Sequence, residues 1–270
     1  MSDLRSPAAD RYGDPTVDLA APNDVLRLQL AHRSVRRFGP RDVTEQELTT
    51  LIAAAQSAPT SSNLQPWSVV AVRDPQRKAR LATLAGNQAF VAQAPLFLVW
   101  LADLGRARRL ARRTGVEVGA ADYLETTIIG FVDTALAAQN TVLAARSLGL
   151  GSVFVGAIRN RPVEVAAELN LPPHVVAAFG LAVGEPDPSE NAGIKPRLPQ
   201  AAVLHRETYD VDGADAHIPV YDERLTAYNE RFGLTGDWSS RVLARLRGPE
   251  SMGGRHRLRE ILLRLGLPSR

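Results

Sequence analysis

The sequence predicts a globular chain in which helices and strands interleave without forming a regular βαβ series. Three observations carry this. The chain has 270 residues, 45% of them hydrophobic, enough for one large domain or two small ones with a substantial core. Residues 95–101 (PLFLVWL) are a continuous apolar run of strand length, the pattern of a strand buried on both faces. And the glycine-rich strand–helix turn of dinucleotide-binding sheets is missing: Gly149-x-Gly151 follows a helical stretch, and Phe154 stands where the fingerprint needs glycine. A P-loop lysine motif and an HExxH zinc motif are absent as well.

Taken in order, residues 25–31 read as a short helix. Thr44 and Glu47 form a capping box, followed by Leu48, Leu51, Ile52 and Ala55 at i, i+3, i+4, i+7, the stripe of an amphipathic helix. Pro59 ends it. Residues 60–67 (TSSNLQPW) are a polar loop leading to a β-rich segment, 68–72. Helical stretches are expected at 77–84 and 87–93, and a basic helix or loop at 106–114. The longest helix is expected over 123–148, with apolar or small residues all round it, which implies burial on most sides. Gly149 and Gly151 stop it. A strand over 152–158 follows, then a helix opened by Pro162 and running to 169, a strand over 177–183, a loop over 184–191, and an extended Lys195-Pro196-Arg197-Leu198-Pro199 segment. Helical segments are expected at 221–232, 239–246 and 256–265.

Composition excludes several classes. No cysteine means no disulfide framework, no thiolate metal site and no thiol nucleophile. His174, His205, His217 and His256 have no partner at metal-ligand spacing, so no metal is expected. Net charge is only +3, and Lys78 and Lys195 are the only lysines; the pI of about 9.6 reflects the high pKa of arginine. The densest basic run, 106–113, contains no aromatic residue, so nucleic-acid binding is not expected. Residues 1–22 lack the apolar core of a signal peptide and read as a mobile arm. The most apolar helix is interrupted by Asp133, Gln139, Asn140 and Arg146 and reads as a core helix, not a membrane span. A cytoplasmic protein is expected.

Three segments carry candidate chemistry. His32-Arg33-Ser34-Val35-Arg36-Arg37 gathers three guanidinium groups, an imidazole and a hydroxyl, suited to a polyanionic ligand; read alone, it also fits a solvated basic turn. Residues 60–65 form a lip of small hydroxyl and amide side chains beside a strand, or simply a turn. The run 106–113 is a solvated basic face or an electrostatic funnel for anions.

Seven motifs, in order, resemble the flavin-dependent nitroreductase family, in its oxygen-insensitive NADPH nitroreductase and NADPH–FMN oxidoreductase branch. They are His32-Arg33-Ser34-x-Arg36, Thr60-Ser61-Ser62-x-Leu64-Gln65, Gly86-x-Gln88, Asp133-Thr134-Ala135 with Gln139-Asn140, Ser147-Leu148-Gly149-Leu150-Gly151, Gly156-x-x-Arg159-Asn160, and Lys195-Pro196-Arg197-Leu198-Pro199. The resemblance implies an α+β fold with a mixed, mainly antiparallel sheet flanked by helices, in an intertwined homodimer with FMN at the subunit interface. After the arm over 1–22 it implies an FMN-binding core over 23–207 and a helical extension over 208–270 that packs on the partner subunit.

By the same resemblance, His32, Lys195 and Arg197 hold the FMN phosphate, and Ser34 the phosphate or ribityl chain. Arg36 lies by the N1/O2 edge of the ring, where a cation stabilises the reduced flavin; it is the one residue assigned a catalytic part, as a flavin-tuning group. Thr60, Ser61 and Ser62 contact the ribityl chain and phosphate side, Gln88 the pyrimidine edge, and the backbone N–H groups of Gly156 and Ala157 the N5/O4 side, which Arg159 lines. Arg33, Gln65, Phe154 and Val155 complete the cofactor-binding set. Ala157 stands where the family often has a second glycine. The implied chemistry is ping-pong hydride transfer from NADPH or NADH to FMN and on to a nitroaromatic, quinone or other small aromatic acceptor, with no acid or base residue required. Alternatives are a flavin reductase that supplies reduced FMN and a flavin-binding protein without turnover. Relatives carry an arginine-bearing loop associated with the NADPH 2′-phosphate; here 230–238 is shorter and offers only Arg231, which leaves the choice between NADPH and NADH open and makes the run 106–113 a candidate substitute.

Overall fold

The computed structural model describes residues 5–13, 17, 19 and 23–270. Among them the first elements are α1 (Arg5–Tyr12), α2 (Asp24–Leu30), α3 (Glu45–Gln56), β1 (Trp67–Val72), α4 (Pro75–Leu84), α5 (Ala89–Gln93), β2 (Leu96–Asp103) and α6 (Gly105–Thr114). Then come α7 (Leu124–Ser147), β3 (Gly151–Val155), α8 (Pro162–Glu168) and β4 (Val175–Gly184). The chain ends with α9 (Val211–Asp215), α10 (Ile218–Arg231), α11 (Trp238–Leu246) and α12 (Leu258–Arg264). The chain divides into a helical unit, Met1–Arg33 with Asn191–Ser251, and a sheet unit, Ser34–Glu190 with Met252–Arg270.

In the sheet unit the strands run in the order β1-β2-β4-β3. Every pairing is antiparallel, so the mixed sheet implied by the resemblance is, among the described residues, antiparallel throughout. β2 lies centrally and all eight of its residues are buried. Its side chains alternate as a strand requires. Leu96, Leu98 and Trp100 face Leu51 and Ala55 of α3 and Ala137, Ala138 and Val142 of α7. Phe97, Val99 and Leu101 face Leu81 of α4, Val91 of α5 and Val165 of α8. The result is a sheet between two helical layers. Phe97 lies so close to β4 that a Cβ on Gly180 would stand 2.2 Å from its ring. Between Trp100 and Leu101 the register slips, and Ala178 becomes the extra residue of a β-bulge in β4.

The capping box forms as expected: the Thr44 hydroxyl accepts from the Glu47 N–H at 3.1 Å, and the Glu47 carboxylate accepts from the Thr44 N–H at 2.8 Å. The strand expected over 152–158 stops at Val155, and Gly156–Asn160 coil into a 3-10 turn. Apolar composition continues past Gly156, but Arg159 turns inward to the Ala178 carbonyl. α7 is long and apolar enough to cross a membrane by composition alone; its buried residues instead pack on β2 and α3. Burial on most sides is not observed: Leu124, Ile128, Val132 and Leu136, every fourth residue, remain exposed on one face.

Residues 5–12, placed by sequence in a mobile arm, form α1; the rest of that expected arm lies outside the described residues except 13, 17 and 19. Residues 208–270, expected as one extension on a partner subunit, divide between the two units. Their last part packs on this chain's own sheet: Leu267 is fully buried with Ala102, Leu104 and Val176, and the Gly266 carbonyl meets His174 Nδ1 at 2.6 Å.

In the helical unit, Asp222 anchors the start of α11 by accepting from the N–H groups of Trp238 and Ser239 and from the Ser239 hydroxyl. The Tyr221 and Tyr228 hydroxyls donate to the carbonyls of Pro196 and Gly193, both at 3.0 Å, which ties the extended Lys195 segment to α10.

Candidate functional site

The loop after α3 is built on one buried acid. Asp133 of α7 is 3% exposed. Its carboxylate accepts the Thr60 hydroxyl at 2.6 Å and the Ser61 N–H at 3.2 and 3.3 Å. Thr60 Oγ1 in turn accepts the Gln65 N–H at 2.9 Å. Between these anchors Ser62, Asn63 and Gln65 take positive φ, a conformation costly for side chains other than Asn and Asp unless the surroundings hold it. The Thr60 hydroxyl is therefore committed inward. The Ser61 and Ser62 side chains are exposed, and the Gln65 amide reaches only to Asn63 Oδ1. Arg106 braces the far end of the loop by donating to the carbonyls of Gln65 and Trp67 and to Ser68 Oγ.

The end of β3 presents a second group. Phe154 is partly exposed, its ring edge-on to Phe179 at 5.3 Å; Val155 is buried. The 3-10 turn then places Gly156 beside two guanidinium groups: a Cβ there would lie 3.5 Å from Arg159 and 3.9 Å from Arg255. Arg159 Nη1 donates to the carbonyl of Ala178, the residue that the bulge removes from ladder register. Burial, and secondarily the charge of Arg255, pull the Arg159 pKa below that of a free guanidinium. Two cations at one partly apolar edge repel each other and favour an electron-rich partner. Ala157 is half-buried on the same turn.

Ser34 is half-buried and Val35, whose N–H donates to the Ser152 carbonyl, is buried, so this strand-like stretch lies along β3. The Arg36 N–H donates to the Glu190 carboxylate at 2.8 Å while its side chain is exposed. Arg37, a member of the basic cluster to which no cofactor contact was assigned, pairs with Asp187 at 3.1 Å. Gln88 is half-buried at the N-terminus of α5 and does not cap it with its side chain.

In the helical unit, one arginine organises the residues expected at the phosphate. Arg11, on α1 and buried, donates to the carbonyls of Leu30, His32 and Lys195. Its own carbonyl accepts the Arg197 N–H at 2.8 Å. His32, Lys195 and Arg197 thus share one backbone frame, and the Lys195 ammonium stands over the Tyr228 ring at 5.6 Å. Arg33 lines a cleft of about 680 Å³ within this unit, with Arg224, Arg231, Tyr228 and Phe232.

The sequence reading missed Arg11 and understated Asp133. Arg11 fell in a segment read as a mobile arm; the one available signal was an Ala-rich, arginine-bearing stretch of helical composition. Asp133 was legible only as an acid interrupting an apolar helix, an interruption that needs a partner.

Fold and loop chemistry together define the class: an α+β protein whose candidate polar groups stand on loops and strand ends, not on a glycine-rich strand–helix turn. The chain belongs to the nitroreductase family: residues 30–184 match that family and residues 195–270 its C-terminal domain. It is 40% identical over 229 residues to the FMN reductase (NADPH) of Bacillus subtilis, covering 82% of this chain and 90% of that protein. It is 39% identical over 204 residues to the oxygen-insensitive NADPH nitroreductase of Salmonella typhimurium, covering 75% and 81%. Its fold superposes on the NADPH:FMN oxidoreductase of Vibrio harveyi complexed with NAD+ with a TM-score of 0.82 at 37% identity, covering 92% of this chain and all of that one.

Proposed function

We propose that the protein is an FMN-dependent NAD(P)H oxidoreductase that reduces nitroaromatics, quinones or similar flat acceptors in ping-pong order. The relatives named above support the reaction class. The observation in this chain that carries the reading is the edge at Gly156, where Arg159 and Arg255 face a residue without a side chain.

The residues fit FMN in three respects. The cations Lys195 and Arg197, with the His32 imidazole in the same frame held by Arg11, have the chemistry that a phosphate dianion requires. The Ser61 and Ser62 hydroxyls, exposed on a loop held from behind by Asp133, suit a polyol such as the ribityl chain, joined by Ser34 and Gln65. Gly156, with the adjoining Phe154, Val155 and Ala157, offers backbone and ring surface with no side chain in the way, and Arg36, Arg159 and Gln88 supply donors suited to the ring's polar edge. Arg33 adds charge beside His32. Bound FMN would supply the two-electron redox chemistry between nicotinamide and acceptor. The protein's own part is positional and electrostatic: it would hold the cofactor, place positive charge at the ring's polar edge, and brace the loop that carries Ser61 and Ser62. Arg36 acts as a tuning group in this scheme, and no side chain transfers a proton.

A homodimer and a cytoplasmic setting belong to the same reading. The exposed Leu124, Ile128, Val132 and Leu136 stripe on α7 is apolar surface of the kind that association covers. The name of the Bacillus subtilis relative favours a second reading, in which the reduced flavin leaves to serve another enzyme.

The deciding experiment is an anaerobic absorbance titration of the purified protein with NADPH and then NADH. A flavin spectrum bleached by either nucleotide is expected. A bound flavin that neither bleaches would establish a binding protein without turnover, and failure to bind added FMN would overturn the reading. Loss of flavin from the protein during turnover would select the flavin-reductase form.

A further inference from the structure

α6 carries arginines at positions 106, 108, 109, 112 and 113, and the structure separates them into two kinds. Arg106 braces the Gln65–Ser68 backbone, and Arg108 pairs with Asp122. Arg109, Arg112 and Arg113 form no ion pair and no side-chain hydrogen bond among the described residues. Together with Arg106 they line a surface depression of about 570 Å³ to which no acidic residue contributes.

Positions 109, 112 and 113 are i, i+3 and i+4, so the three guanidinium groups stand on one face and repel one another. The negative end of the helix dipole eases this for Arg112 and Arg113 in the last turn, but not for Arg109 in the middle. Three uncompensated, planar, fork-shaped donors around one hollow match a phosphate monoester dianion. Arg106 joins the hollow to the loop proposed above to hold the flavin, and Arg113 lies roughly 10 Å further along the axis at about 1.5 Å per residue. A ligand held there therefore extends away from the flavin loop and carries its dianion at the far end. The nicotinamide nucleotide of the proposed reaction has that form when it bears a 2′-phosphate.

We propose that Arg109, Arg112 and Arg113 form the subsite for the 2′-phosphate of NADPH, making α6 the element that selects NADPH over NADH. The proposal rests on the oxidoreductase reading above and deepens it.

The test compares the wild-type holoprotein with the R109Q/R112Q/R113Q variant. All three side chains are exposed. Calorimetric titration with adenosine 2′,5′-bisphosphate and with 5′-AMP reads binding without turnover. Steady-state KM values for NADPH and NADH read it in the reaction. Exposed ion pairs are individually weak, so three together are expected to cost about 10- to 100-fold in bisphosphate affinity and a matching rise in the NADPH KM. The 5′-AMP affinity, the NADH KM and the bound-flavin spectrum are expected to stay unchanged. An unaltered bisphosphate affinity would overturn the proposal. So would an equal loss for both nucleotides, which would place the cations on the 5′-phosphate groups, or a loss produced by R231Q and not by the triple variant. Failure of the parent reading looks different: neither nucleotide bleaches the wild-type flavin.

Discussion

The Thr60 hydroxyl donates to the Asp133 carboxylate at 2.6 Å, joining residues 73 positions apart. The same carboxylate holds the Ser61 N–H, so one buried acid fixes both the hydroxyl and the backbone at the start of the loop. Removing it leaves two donors unsatisfied in a buried place. Asp133→Ala is expected to lower stability by about 2–4 kcal/mol, measured by urea unfolding. Asp133→Asn keeps the volume and replaces one acceptor with a donor; FMN affinity, followed by quenching of flavin fluorescence, is expected to weaken at least tenfold. Full FMN affinity in Asp133→Asn would show that the loop does not need this anchor.

Arg36 provides a test of flavin tuning. Its guanidinium is exposed and its N–H is held by Glu190, so Arg36→Gln removes charge without disturbing the fold. In the proposed scheme, where Arg36 lies by the ring, its loss makes the reduced flavin less stable, and the two-electron potential is expected to fall by on the order of 10–30 mV, since about 30 mV corresponds to ~1.4 kcal/mol for two electrons. Potentiometric titration against reference dyes measures it. An unchanged or raised potential would remove Arg36 from the tuning role.

Gly180 is required for steric reasons. An added Cβ would lie 2.2 Å from the Phe97 ring in the middle of the sheet. Gly180→Ala is expected to cost about 1–3 kcal/mol as the ring or β4 shifts. Urea unfolding checks this, and the double variant Gly180→Ala with Phe97→Leu is expected to recover part of the loss.

The cap of α3 predicts a pH effect. Hydrogen bonds from Arg41, then from the Thr44 N–H, hold the Glu47 carboxyl at about 2, below its ordinary value of 4.5. The folded carboxylate thus gains stability that is complete above pH 4.5 and fades as the pH falls towards 2. The side chain is close to solvent, so the effect is small, about 0.5–1 kcal/mol. Unfolding at pH 6 and pH 3 is expected to show a smaller drop for Glu47→Gln, which keeps the reach of the cap, than for the wild type. Equal drops would show that the Arg41–Glu47 pair contributes nothing.

Local patterns were readable wherever one period and one signal sufficed. The Thr44–Glu47 box, the i, i+3, i+4, i+7 stripe of α3 and the apolar run of β2 all appear where the sequence puts them. Expectations went astray where a distant partner overrode composition. The apolar stretch after Val155 coils instead of continuing as a strand, because Arg159 finds its acceptor on a bulge in β4, nineteen positions away. α7 carries apolar or small residues on every side in sequence, yet one face meets the sheet and another stays exposed.

The ordered motifs of the chain suffice to place it in the nitroreductase family, and local signals define those helices and strands whose caps, periods and turn residues act over a few positions. They do not reveal which cations belong together. Arg11 looks like part of a polar arm, and the five arginines of α6 look alike along the chain. Folding sets Arg11 against three carbonyls, gives Arg106 and Arg108 partners, and leaves Arg109, Arg112 and Arg113 facing solvent. A hydrogen bond or an ion pair depends on distances of a few ångströms between residues remote in sequence, and only the folded chain brings those residues within reach.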